Sequence, residues 1–547
     1  MNLSDIRKEI DRIDTEILQL FAERMKQAVN VAHYKKTHNL AQFQAEREKQ
    51  LLEKKREIGK ELGLRPDTVE KLFRLFIEES HFVQSPILAI TESTQDISIF
   101  QLPKLQYQEK ILDINLDIFD VFTRIYANFD TFFFLESLGQ DKDFSRFSYL
   151  GFGPKMLIQA RGNILWIDGK EQDCDGNPWE FLKKHFPQNL LEASQEFKGG
   201  LVGYSSFEAY RYQEKKIDAF ADNEDFYDFE FGLYLEGLKY NLQTGEISYF
   251  TLDKDNSEKI FDVLNEPVNV SPLKVQEKGS NMTDEDYENI VQELRQEIVK
   301  GNVFQIVPSR KFFFKIEGAT LDIYKHLREK NPSPHMFFLK FDDRQLIGSS
   351  PELVARVENG MVESYPIAGT RSRGKTEEED KQLEEELVND EKEVAEHMML
   401  VDMARDDLGR VCEYASIQVD KLKVVKKFSH VQHIVSYVSG KLRDDKNMFD
   451  AVMTSFPMGT VSGAPRIEAV KLLHEKEKLE RGPYSGFAGF FSFSGEAIAA
   501  LSIRSLFISG KKAYTQAGAG VVYDSIPKYE REEVDKKSMA IKAALGL

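Results

Sequence analysis

The sequence predicts two unlike folds in one chain, an all-α segment over residues 1–85 and a large α+β body with antiparallel sheets over residues 110–547. Residues 4–38 contain no glycine or proline, and their apolar side chains recur at the spacing of a helix, about 3.6 residues. After residue 110, short β-rich runs such as TFFFLESL and FGLYLEGLKY alternate with helical stretches and turn signals. Such a change of period predicts separate domains.

Three helices are predicted in the all-α segment. The apolar stripe of the first helix consists of Ile6, Ile10, Ile13, Ile17, Leu20, Phe21, Met25 and Val29. The second helix runs from about Gln44 to Leu62 and ends at Gly63, and Pro66 opens the third. Because three helices, one of them very long, do not bury their own stripes, a homodimer is expected.

A polar stretch containing Pro86 and Pro103 follows, and we predict a linker over residues 86–109. In the body beyond it, a surface loop is expected to run into a helix capped by Thr283.

Composition restricts the possible functions. The chain has 547 residues with a formal charge of −18, which argues against a nucleic-acid-binding surface. Its two cysteines, Cys174 and Cys412, do not make a disulfide framework. No run approaches the roughly 18 apolar residues of a membrane-spanning helix, and the N-terminus lacks the apolar region of a signal peptide. We therefore expect a cytoplasmic protein without nucleic-acid or membrane partners.

Two pairs of glutamates stand three residues apart, Glu393 with Glu396 and Glu530 with Glu533. On a helix, the members of each pair lie on one face. A solvated face is the ordinary explanation in an acidic chain. The apolar run 398–401 directly after the first pair belongs to a core face, however, so these carboxylates need another explanation.

Other stretches of the body carry residues suited to binding an anion. The glycine-rich turn AGAGVVYDS offers backbone N–H groups, and FPMGTVSGAPR places Thr460 among glycines before a helix opened by Pro465. Arg504 lies in an apolar run that predicts a buried strand, where an unpaired guanidinium is unfavourable. His433 stands among apolar neighbours in SHVQHIVS.

The first 85 residues resemble the AroQ-class chorismate mutases along their whole length, through the motifs IRKEI, FAERM, QAERE and EESHFVQ. The resemblance implies an interlocked dimer in which Arg7 comes from the partner chain. It also implies an active site formed by Arg7, Arg24, Lys35, Gln44, Arg47, Glu48, Ser80 and Gln84. Gln44 replaces an acidic residue of the family, so a regulatory ligand-binding and dimerisation module is the alternative to an active mutase.

Rearrangement of chorismate to prephenate suits these residue types. The reaction is unimolecular and requires no nucleophile, but two carboxylates must be held in a compact conformer while charge on the ether oxygen is stabilised. Arginines bind carboxylates in a bidentate manner, and Lys35 and Gln84 are expected to face the ether oxygen.

Residues 110–547 resemble the chorismate-utilising enzymes, most closely the large subunits of anthranilate synthases. The motifs that carry the resemblance are GNVFQIVPSR, SPEL, YPIAGTRSRG, DEKEVAEHMMLVDMARDDLGRV, SHVQHIVS, FPMGTVSGAPR, RGPYSGFAGF and QAGAGVVYDSIP. The resemblance implies that chorismate and ammonia give anthranilate and pyruvate in tryptophan biosynthesis. Together, the two resemblances imply a bifunctional enzyme.

The second resemblance also implies roles for single residues. Mg²⁺ would be bound by Glu396 and Glu533, with Glu393 and Glu530 close by or acting through water, and would hold the ring carboxylate of chorismate. The enolpyruvyl carboxylate would be held by Tyr484, Arg504, Gly518 and Gly520. Glu352 would protonate the departing 4-hydroxyl, His433 would assist the loss of pyruvate, and Thr460 would orient the substrate.

Two positions bear on which reaction of that family is expected. Gln305 stands where members that add water carry a lysine base, and a glutamine does not deprotonate water, so ammonia is the expected nucleophile. Ala368 stands where aminodeoxychorismate synthases carry a nucleophilic lysine. An aminodeoxyisochorismate synthase, which stops before pyruvate is eliminated, remains an alternative that His433 disfavours.

Ammonia requires a source. Neither cysteine lies in the Gly-x-Cys-x-Gly turn of a class I glutaminase, so free ammonium or a separate glutaminase subunit is expected.

A regulatory site is also implied by resemblance. Two short segments are similar to the tryptophan-binding elements of these subunits, through Leu135, Glu136, Ser137, Pro334 and Met336. His335 stands where a tyrosine is usual. From the similarity of the two segments, inhibition by tryptophan is expected.

Overall fold

The computed structural model describes residues 3–37, 45–66, 68–77, 79–80, 99–100, 102–138, 147–192, 196–214, 225–427 and 431–547. The chain forms two compact units. The first contains Met1–Leu102 with His185–Pro187, and the second contains Pro103–Lys184 with Gln188–Leu547. Among the helices that the structure describes, none combines the length and apolar composition required to cross a bilayer.

The first unit is helical, as predicted. Its helices are α1 (Leu3–Thr37), α2 (Ala45–Glu61) and α3 (68–77). After α2, Gly63 takes a φ of +75°, a conformation that ends a helix and favours glycine. Phe21 of α1 stacks on Phe76 of α3 with ring centroids 4.8 Å apart.

The outer stripe of α1 is uncovered in the single chain. Ile10, Ile13, Ile17 and Leu20 are between 43% and 66% exposed. Burial of such side chains is worth about 25 cal/mol per Å² of apolar surface, so this stripe is a candidate contact surface.

The second unit contains two large antiparallel sheets. In spatial order, the strands of the first sheet are β1 (Gln108–Ile111), β10 (Ile247–Thr251), β9 (Glu236–Asn241), β3 (Phe147–Phe152), β2 (Thr131–Glu136), β14 (His335–Phe341), β15 (Arg344–Ser350), β24 (Ser505–Ser509), β25 (Lys512–Gly518), β13 (Ser309–Glu317) and β11 (Lys274–Ser280). Those of the second sheet are β18 (Ile367–Ser372), β20 (Val431–Lys441), β17 (Met361–Ser364), β16 (Leu353–Glu358), β23 (Ala497–Leu501), β22 (Phe487–Ser492), β7 (Gly200–Ser205), β8 (Phe229–Tyr234), β4 (Met156–Arg161), β5 (Ile164–Ile167) and β6 (Lys170–Gln172), with β19 (Gln418–Lys427) also paired to β20. A small third sheet joins β12 (Gln305–Ile306) to β21 (Gly463–Ala464).

The helices of the second unit lie on the outer faces of these sheets or connect their strands. They are α4 (Ile118–Asn128), α5 (Pro178–His185), α6 (Ser257–Asn265), α7 (Asp284–Val299), α8 (Leu321–Lys330), α9 (Glu377–Asn389), α10 (Glu391–Gly409), α11 (Met448–Thr454), α12 (Arg466–Glu477) and α13 (Pro527–Ala544). As predicted, Thr283 caps α7, in a capping box with Asp286.

The strand β2 shows why a continuous apolar run is needed here. Phe132 and Phe134 belong to the core between the first sheet and its helices. Phe133, which points to the opposite face, belongs to an aromatic core between the two sheets and meets Tyr234 of the second sheet edge to face at 4.7 Å. Both faces of the strand are therefore buried, and the sequence does not alternate.

The chain passes between the two sheets several times, and we call two neighbouring passages the paired crossings. Residues 351–352 join β15 of the first sheet to β16 of the second, and residues 502–504 join β23 of the second sheet to β24 of the first. Because β15 pairs with β24 and β16 with β23, the crossings lie side by side. The N–H of Leu501 donates to the carbonyl of Glu352 at 2.9 Å, and that of Ser349 to the carbonyl of Arg504 at 3.3 Å.

Most of the predicted linker, residues 86–98 and 101, lies outside the described residues. Its last two residues, Gln108 and Glu109, are the first two residues of β1.

Candidate functional site

The first crossing carries Glu352, whose side chain is buried. Its Oε1 accepts a hydrogen bond of 2.6 Å from the Thr460 hydroxyl. Burial raises the pKa of this carboxyl to about 7, although the Thr460 hydrogen bond and the positive charges of Lys537 and Arg504 act in the opposite direction. A carboxyl group with a pKa near neutrality is suited to donating a proton.

The second crossing carries Arg504. The predicted strand is wrong at this residue, because Arg504 lies between β23 and β24 with a φ of +49°. The apolar flanks on either side predicted one continuous strand, but they belong to strands of different sheets. A left-handed conformation costs an L-residue about 1–2 kcal/mol.

The partly buried guanidinium of Arg504 forms no hydrogen bond or salt bridge with the described part of the chain. Burial lowers the pKa of Arg504, and the nearby charge of Glu352 opposes that effect. A desolvated cation without a bonded counter-ion is a suitable binding group for an anionic substrate.

Two glycines of the turn AGAGVVYDS bring the backbone close to polar side chains. A Cβ added to Gly518 would lie 3.1 Å from the hydroxyl oxygen of buried Tyr484, and one added to Gly520 would lie 2.8 Å from Nε2 of Gln305. Within the described ranges, the N–H of Gly520 donates to no protein acceptor. The glycines therefore leave room and a donor for a bound anion.

Gln305 is buried with one polar atom unsatisfied. Its Nε2 donates to Oε1 of Glu396 at 3.1 Å. Its Oε1 has no hydrogen-bond partner among the residues for which the structure gives side chains. Because buried polar atoms nearly always have partners, this oxygen is a candidate acceptor for a ligand N–H.

The two glutamate pairs lie near each other, although 137 residues of sequence separate Glu393 from Glu530. The pKa of Glu396 on α10 is raised by burial and also by the charges of Glu393 and Glu533. On α13, burial and the charge of Glu533 raise the pKa of Glu530. Carboxylates that repel one another in this way favour a cation between them.

Not all four carboxylates are equally available to a metal. Glu393 accepts a hydrogen bond of 3.1 Å from Arg371, and Glu533 lies 2.8 Å from Lys537. Across the described ranges, no group of three or more His, Cys, Asp or Glu side chains is arranged to hold a metal ion. Glu396, which bonds to the neutral amide of Gln305, suits Mg²⁺ best, because Mg²⁺ takes few protein carboxylates and fills its other positions with water and substrate oxygens.

His433 lies on β20, opposite Thr370 of β18. Its Nδ1 lies 2.8 Å from the carbonyl oxygen of Gly369, which only accepts, so Nδ1 carries the proton and Nε2 is the basic nitrogen. Burial lowers the pKa of His433, and the positive charges of Arg504 and Lys537 lower it further. A neutral imidazole close to the arginine is suited to accepting a proton.

Lys537 is a site residue that sequence reasoning missed. Its Nζ donates to the carbonyl of Gly518 at 2.9 Å, besides its ion pair with Glu533. Its charge also lowers the pKa values of Glu352 and His433. Its position four residues after Glu533 was a possible signal, since both lie on one face of α13.

All five residues predicted to bind tryptophan line one cavity between the sheets. Its walls include Phe147, Phe197 and Phe490. The Glu136 carboxylate is already bound, at 2.8 Å by the Tyr324 hydroxyl and at 3.0 Å by Nε of Arg328.

His335 lines this same cavity, and burial together with the charge of Arg356 lowers the pKa of His335 to about 3. The cavity therefore presents a neutral imidazole at the position where a tyrosine is usual.

In the first unit, the structure brings two of the predicted mutase residues together. Nη1 of Arg24 donates to Ser80 Oγ at 2.5 Å and to the Phe76 carbonyl at 2.6 Å. Lys35 is buried, whereas Arg7 and Arg47 are exposed. Gln44, Gln84 and the side chain of Glu48 lie outside what the structure describes.

Comparison with known proteins finds two family models in the chain. Residues 130–543 match the family model of the chorismate binding enzymes, and residues 6–85 match that of chorismate mutase type II. The chain is similar to anthranilate synthase component 1 of Methanothermobacter thermautotrophicus, with 42% identity over 432 residues that cover 78% of this chain and 92% of that protein.

Two solved structures are similar to the chain. The crystal structure of anthranilate synthase component I from Streptococcus pneumoniae has a TM-score of 0.65 and 33% identity, covering 73% of this chain and 92% of that one. The menaquinone-specific isochorismate synthase of Escherichia coli shares the fold, with a TM-score of 0.61 and 18% identity over 84% of this chain and all of that one.

Replacing Glu352 with glutamine is expected to stabilise the fold at pH 8 but not at pH 5. The folded pKa of about 7 exceeds the ordinary value of 4.5, so stability from this group is present at low pH and is lost as the pH rises through 7. Removing the ionised carboxylate at pH 8 is worth roughly 3 kcal/mol. Urea unfolding at both pH values measures the gain.

The exposed Glu246→Gln exchange is the control and is expected to change stability equally little at both pH values. An equal gain for Glu352→Gln at pH 5 and pH 8 would contradict the assignment of a neutral carboxyl group.

Proposed function

The chain belongs to the chorismate binding enzyme family, and we propose that it is a bifunctional enzyme that converts chorismate to anthranilate in its second unit and to prephenate in its first. The observation that carries the anthranilate activity is the juxtaposition of the buried acid Glu352 and the unpaired cation Arg504 on the paired crossings. We assign the mutase to residues 1–85, the linker to residues 86–109 and the synthase to residues 110–547.

Chorismate carries two carboxylates, and the site offers a separate binding group for each. Arg504, the Tyr484 hydroxyl and the N–H of Gly520 hold the enolpyruvyl carboxylate. Mg²⁺ bound by Glu396 and Glu533, with Glu393 and Glu530 close by, would supply the positive charge that binds the ring carboxylate.

The proton that the 4-hydroxyl needs as it leaves comes from Glu352. Because the Thr460 hydroxyl donates to Oε1, the acidic proton belongs on Oε2. The same hydrogen bond fixes the carboxyl plane, so the proton is delivered from a defined direction. Water leaves with this proton as ammonia adds at C2 of the ring.

Gln305 binds the nucleophile, ammonia. Its unsatisfied Oε1 accepts an N–H of ammonia, while its Nε2 remains bonded to Glu396. A glutamine holds ammonia without having to remove a proton from it, which fits an amine nucleophile better than water.

The second step removes pyruvate and makes the ring aromatic. Nε2 of His433 accepts the ring proton that is lost, because the Nδ1 proton is fixed on Gly369 and the lowered pKa of His433 leaves Nε2 unprotonated before the step. Without this transfer the reaction would stop at the amino-dienoate, which is the alternative outcome for this site.

Ammonia comes from solution or from a separate glutaminase subunit. Neither buried cysteine lies in a glutaminase motif, and the similar proteins are named component 1. A second protein component that supplies ammonia is therefore part of the proposal.

The mutase proposal rests on the Arg24–Ser80 contact and on the buried Lys35. The uncovered stripe of α1 supports a homodimer in which a second copy covers it. Exposed Arg7 would then complete the partner's site. The alternative is a module that only binds a regulatory ligand, because Gln44 replaces an acidic residue.

Regulation by tryptophan is favoured by one observation, the cavity that all five expected residues line. An aromatic amino acid would pack against the phenylalanines of its walls, and Ser137 would bind one of its polar groups.

Incubation with chorismate, Mg²⁺ and ammonium is expected to give both anthranilate and prephenate. Chelation of Mg²⁺ is expected to lower anthranilate formation at least about 100-fold, because the metal charge holds the substrate and stabilises the transition state. Prephenate formation is expected to be unchanged, since a pericyclic rearrangement needs no metal. Chromatography with anthranilate fluorescence measures both products.

Two variants serve as matched controls for the product measurement. Glu396→Gln is expected to abolish anthranilate alone, and Arg24→Ala prephenate alone. Anthranilate without prephenate would make the first unit a regulator. Recovery of mutase activity in Gln44→Asp would then identify Gln44 as the cause of its absence. Isochorismate, salicylate or an accumulated amino-dienoate would contradict the roles given to Gln305 and His433.

The double variant Ile13→Glu and Ile17→Glu is expected to convert the dimer to a monomer. Charges on the stripe oppose its burial against a second copy, because burying an unpaired carboxylate in an apolar interface has a free-energy cost of several kcal/mol. Prephenate formation is expected to fall at least about 100-fold, with anthranilate formation retained. Light scattering and product analysis measure the two effects, and Gln19→Glu on the opposite side of α1 is the control. A wild-type monomer would refute the proposal.

Tryptophan is expected to inhibit anthranilate formation, and Ser137→Ala is expected to raise the half-inhibiting concentration about 10-fold. Loss of one hydrogen bond to a ligand is worth about 1–1.5 kcal/mol, which corresponds to that factor. Initial rates over a tryptophan series give the value, with Ser509→Ala outside the cavity as control. Absence of inhibition at millimolar tryptophan would remove this proposal.

A further inference from the structure

A buried ion pair is bonded to segments that carry residues of the candidate site. Arg481 is 2% exposed and begins the turn RGPYSG, and Glu477 is 7% exposed and is the last residue of α12. Nε of Arg481 donates to Oε2 of Glu477 at 2.8 Å, and Nη2 donates to Oε1 at 2.6 Å. The contact is therefore bidentate.

The guanidinium also reaches two backbone carbonyls in different segments. Nη1 donates to the carbonyl of Val461 at 2.6 Å, and Nη2 donates to that of Val307 at 2.7 Å. Val461 follows Thr460 directly, and Val307 lies two residues after Gln305. One side chain thus joins the segments that carry the proposed substrate-orienting hydroxyl and the proposed ammonia acceptor.

The Glu477 carboxylate adds hydrogen bonds to a strand next to the glycine-rich turn. Oε1 of Glu477 accepts from both the N–H and the hydroxyl of Ser309, each at 2.8 Å. Ser309 pairs with Gly518 across β13 and β25. Glu477 is therefore bonded to the residue of β13 that pairs with Gly518, the glycine that lies close to Tyr484.

The backbone of Arg481 is itself fixed. Its N–H donates to buried Glu208 at 2.7 Å, and the hydroxyl of Tyr514 donates to its carbonyl at 2.9 Å. Tyr484 lies three residues further along this turn, so the fixed backbone of Arg481 restricts the position of Tyr484.

We propose that Glu477 and Arg481 are positioning residues, whose ion pair sets the distances among Gln305, Thr460 and Tyr484. This inference rests on the function proposed for the site. Neither residue is assigned to the substrate, so both act through the three segments that they join.

The energetics favour this role over plain stabilisation. Removing two charges from water offsets most of the attraction in a buried ion pair, so apolar residues often stabilise a fold equally well. What an apolar pair does not supply is a rigid fork that binds a carboxylate and two carbonyls at once. A shift of about 1 Å in reacting groups lowers rates about 100-fold, so the fork matters to the reaction.

The test compares this pair with a second buried ion pair in the same unit. Arg344 makes two hydrogen bonds of 2.8 Å to Glu230, which is fully buried. This control pair joins β15 to β8 and, in the described part of the chain, bonds to none of the three site segments. Glu477→Gln and Arg481→Lys are therefore matched by Glu230→Gln and Arg344→Lys.

All variants are made in the full chain and assayed for thermal unfolding, kcat and the KM for chorismate. Glu477→Gln and Arg481→Lys are expected to lower kcat for the non-prephenate product about 100-fold, with KM changed less than about 5-fold. At an equal or larger loss of unfolding temperature, the control variants are expected to lower kcat less than about 3-fold. Activity loss that follows stability loss equally in both pairs would overturn the proposal.

Failure of the proposed function gives a different result. If the wild-type chain makes no product except prephenate, that function is wrong. The comparison is then made on chorismate affinity, measured by calorimetry in an Arg24→Ala background, where the Glu477 and Arg481 variants are expected to bind at least 10-fold more weakly than the controls. Equal affinities would overturn the positioning role.

Discussion

The distance between the two large sheets constrains everything in the second unit. Packed sheets generally lie about 10 Å apart, and the aromatic core of Phe133, Tyr234 and their neighbours fills the space between these two sheets. From Ser350 to Leu353 the chain has only three Cα steps, of about 3.8 Å each, in which it passes from the first sheet to the second. Glu352 must therefore sit between the sheets, where water is largely excluded, and its pKa rises for that reason.

Three of the groups that the fold leaves unsatisfied belong to the proposed substrate site. Other buried charges in the same unit form ion pairs, as in Arg344 with Glu230. At the site, the Arg504 guanidinium, Oε1 of Gln305 and the N–H of Gly520 have no protein partner in the described ranges. Their chemical types, a cation, an acceptor and a donor, complement a dicarboxylate and an amine. What the fold leaves open is thus what the proposed substrates would fill.

Local sequence patterns were sufficient for features that depend on near neighbours. The period of α1, the cap at Thr283 and the strand within TFFFLESL all follow from residues within a few positions of one another. The convergence of α10 with α13 did not follow from spacing and came only from a family resemblance. Arg504 was placed on a strand because a local pattern does not show when a chain changes sheets. Lys537 and the Arg481–Glu477 pair went unnoticed because their importance lies in contacts with distant segments.

The backbone of Arg504 has a further consequence for how such a chain evolves. Its φ of +49° suits glycine, and its side chain is a desolvated cation, so folding alone would select against arginine here on both counts. Variation screened only for thermal resistance would drift towards glycine or asparagine at this position and discard the anion-binding group. Retention of arginine in a lineage thus indicates selection for catalytic activity. Its loss would identify a homologue that keeps the fold but lacks the activity.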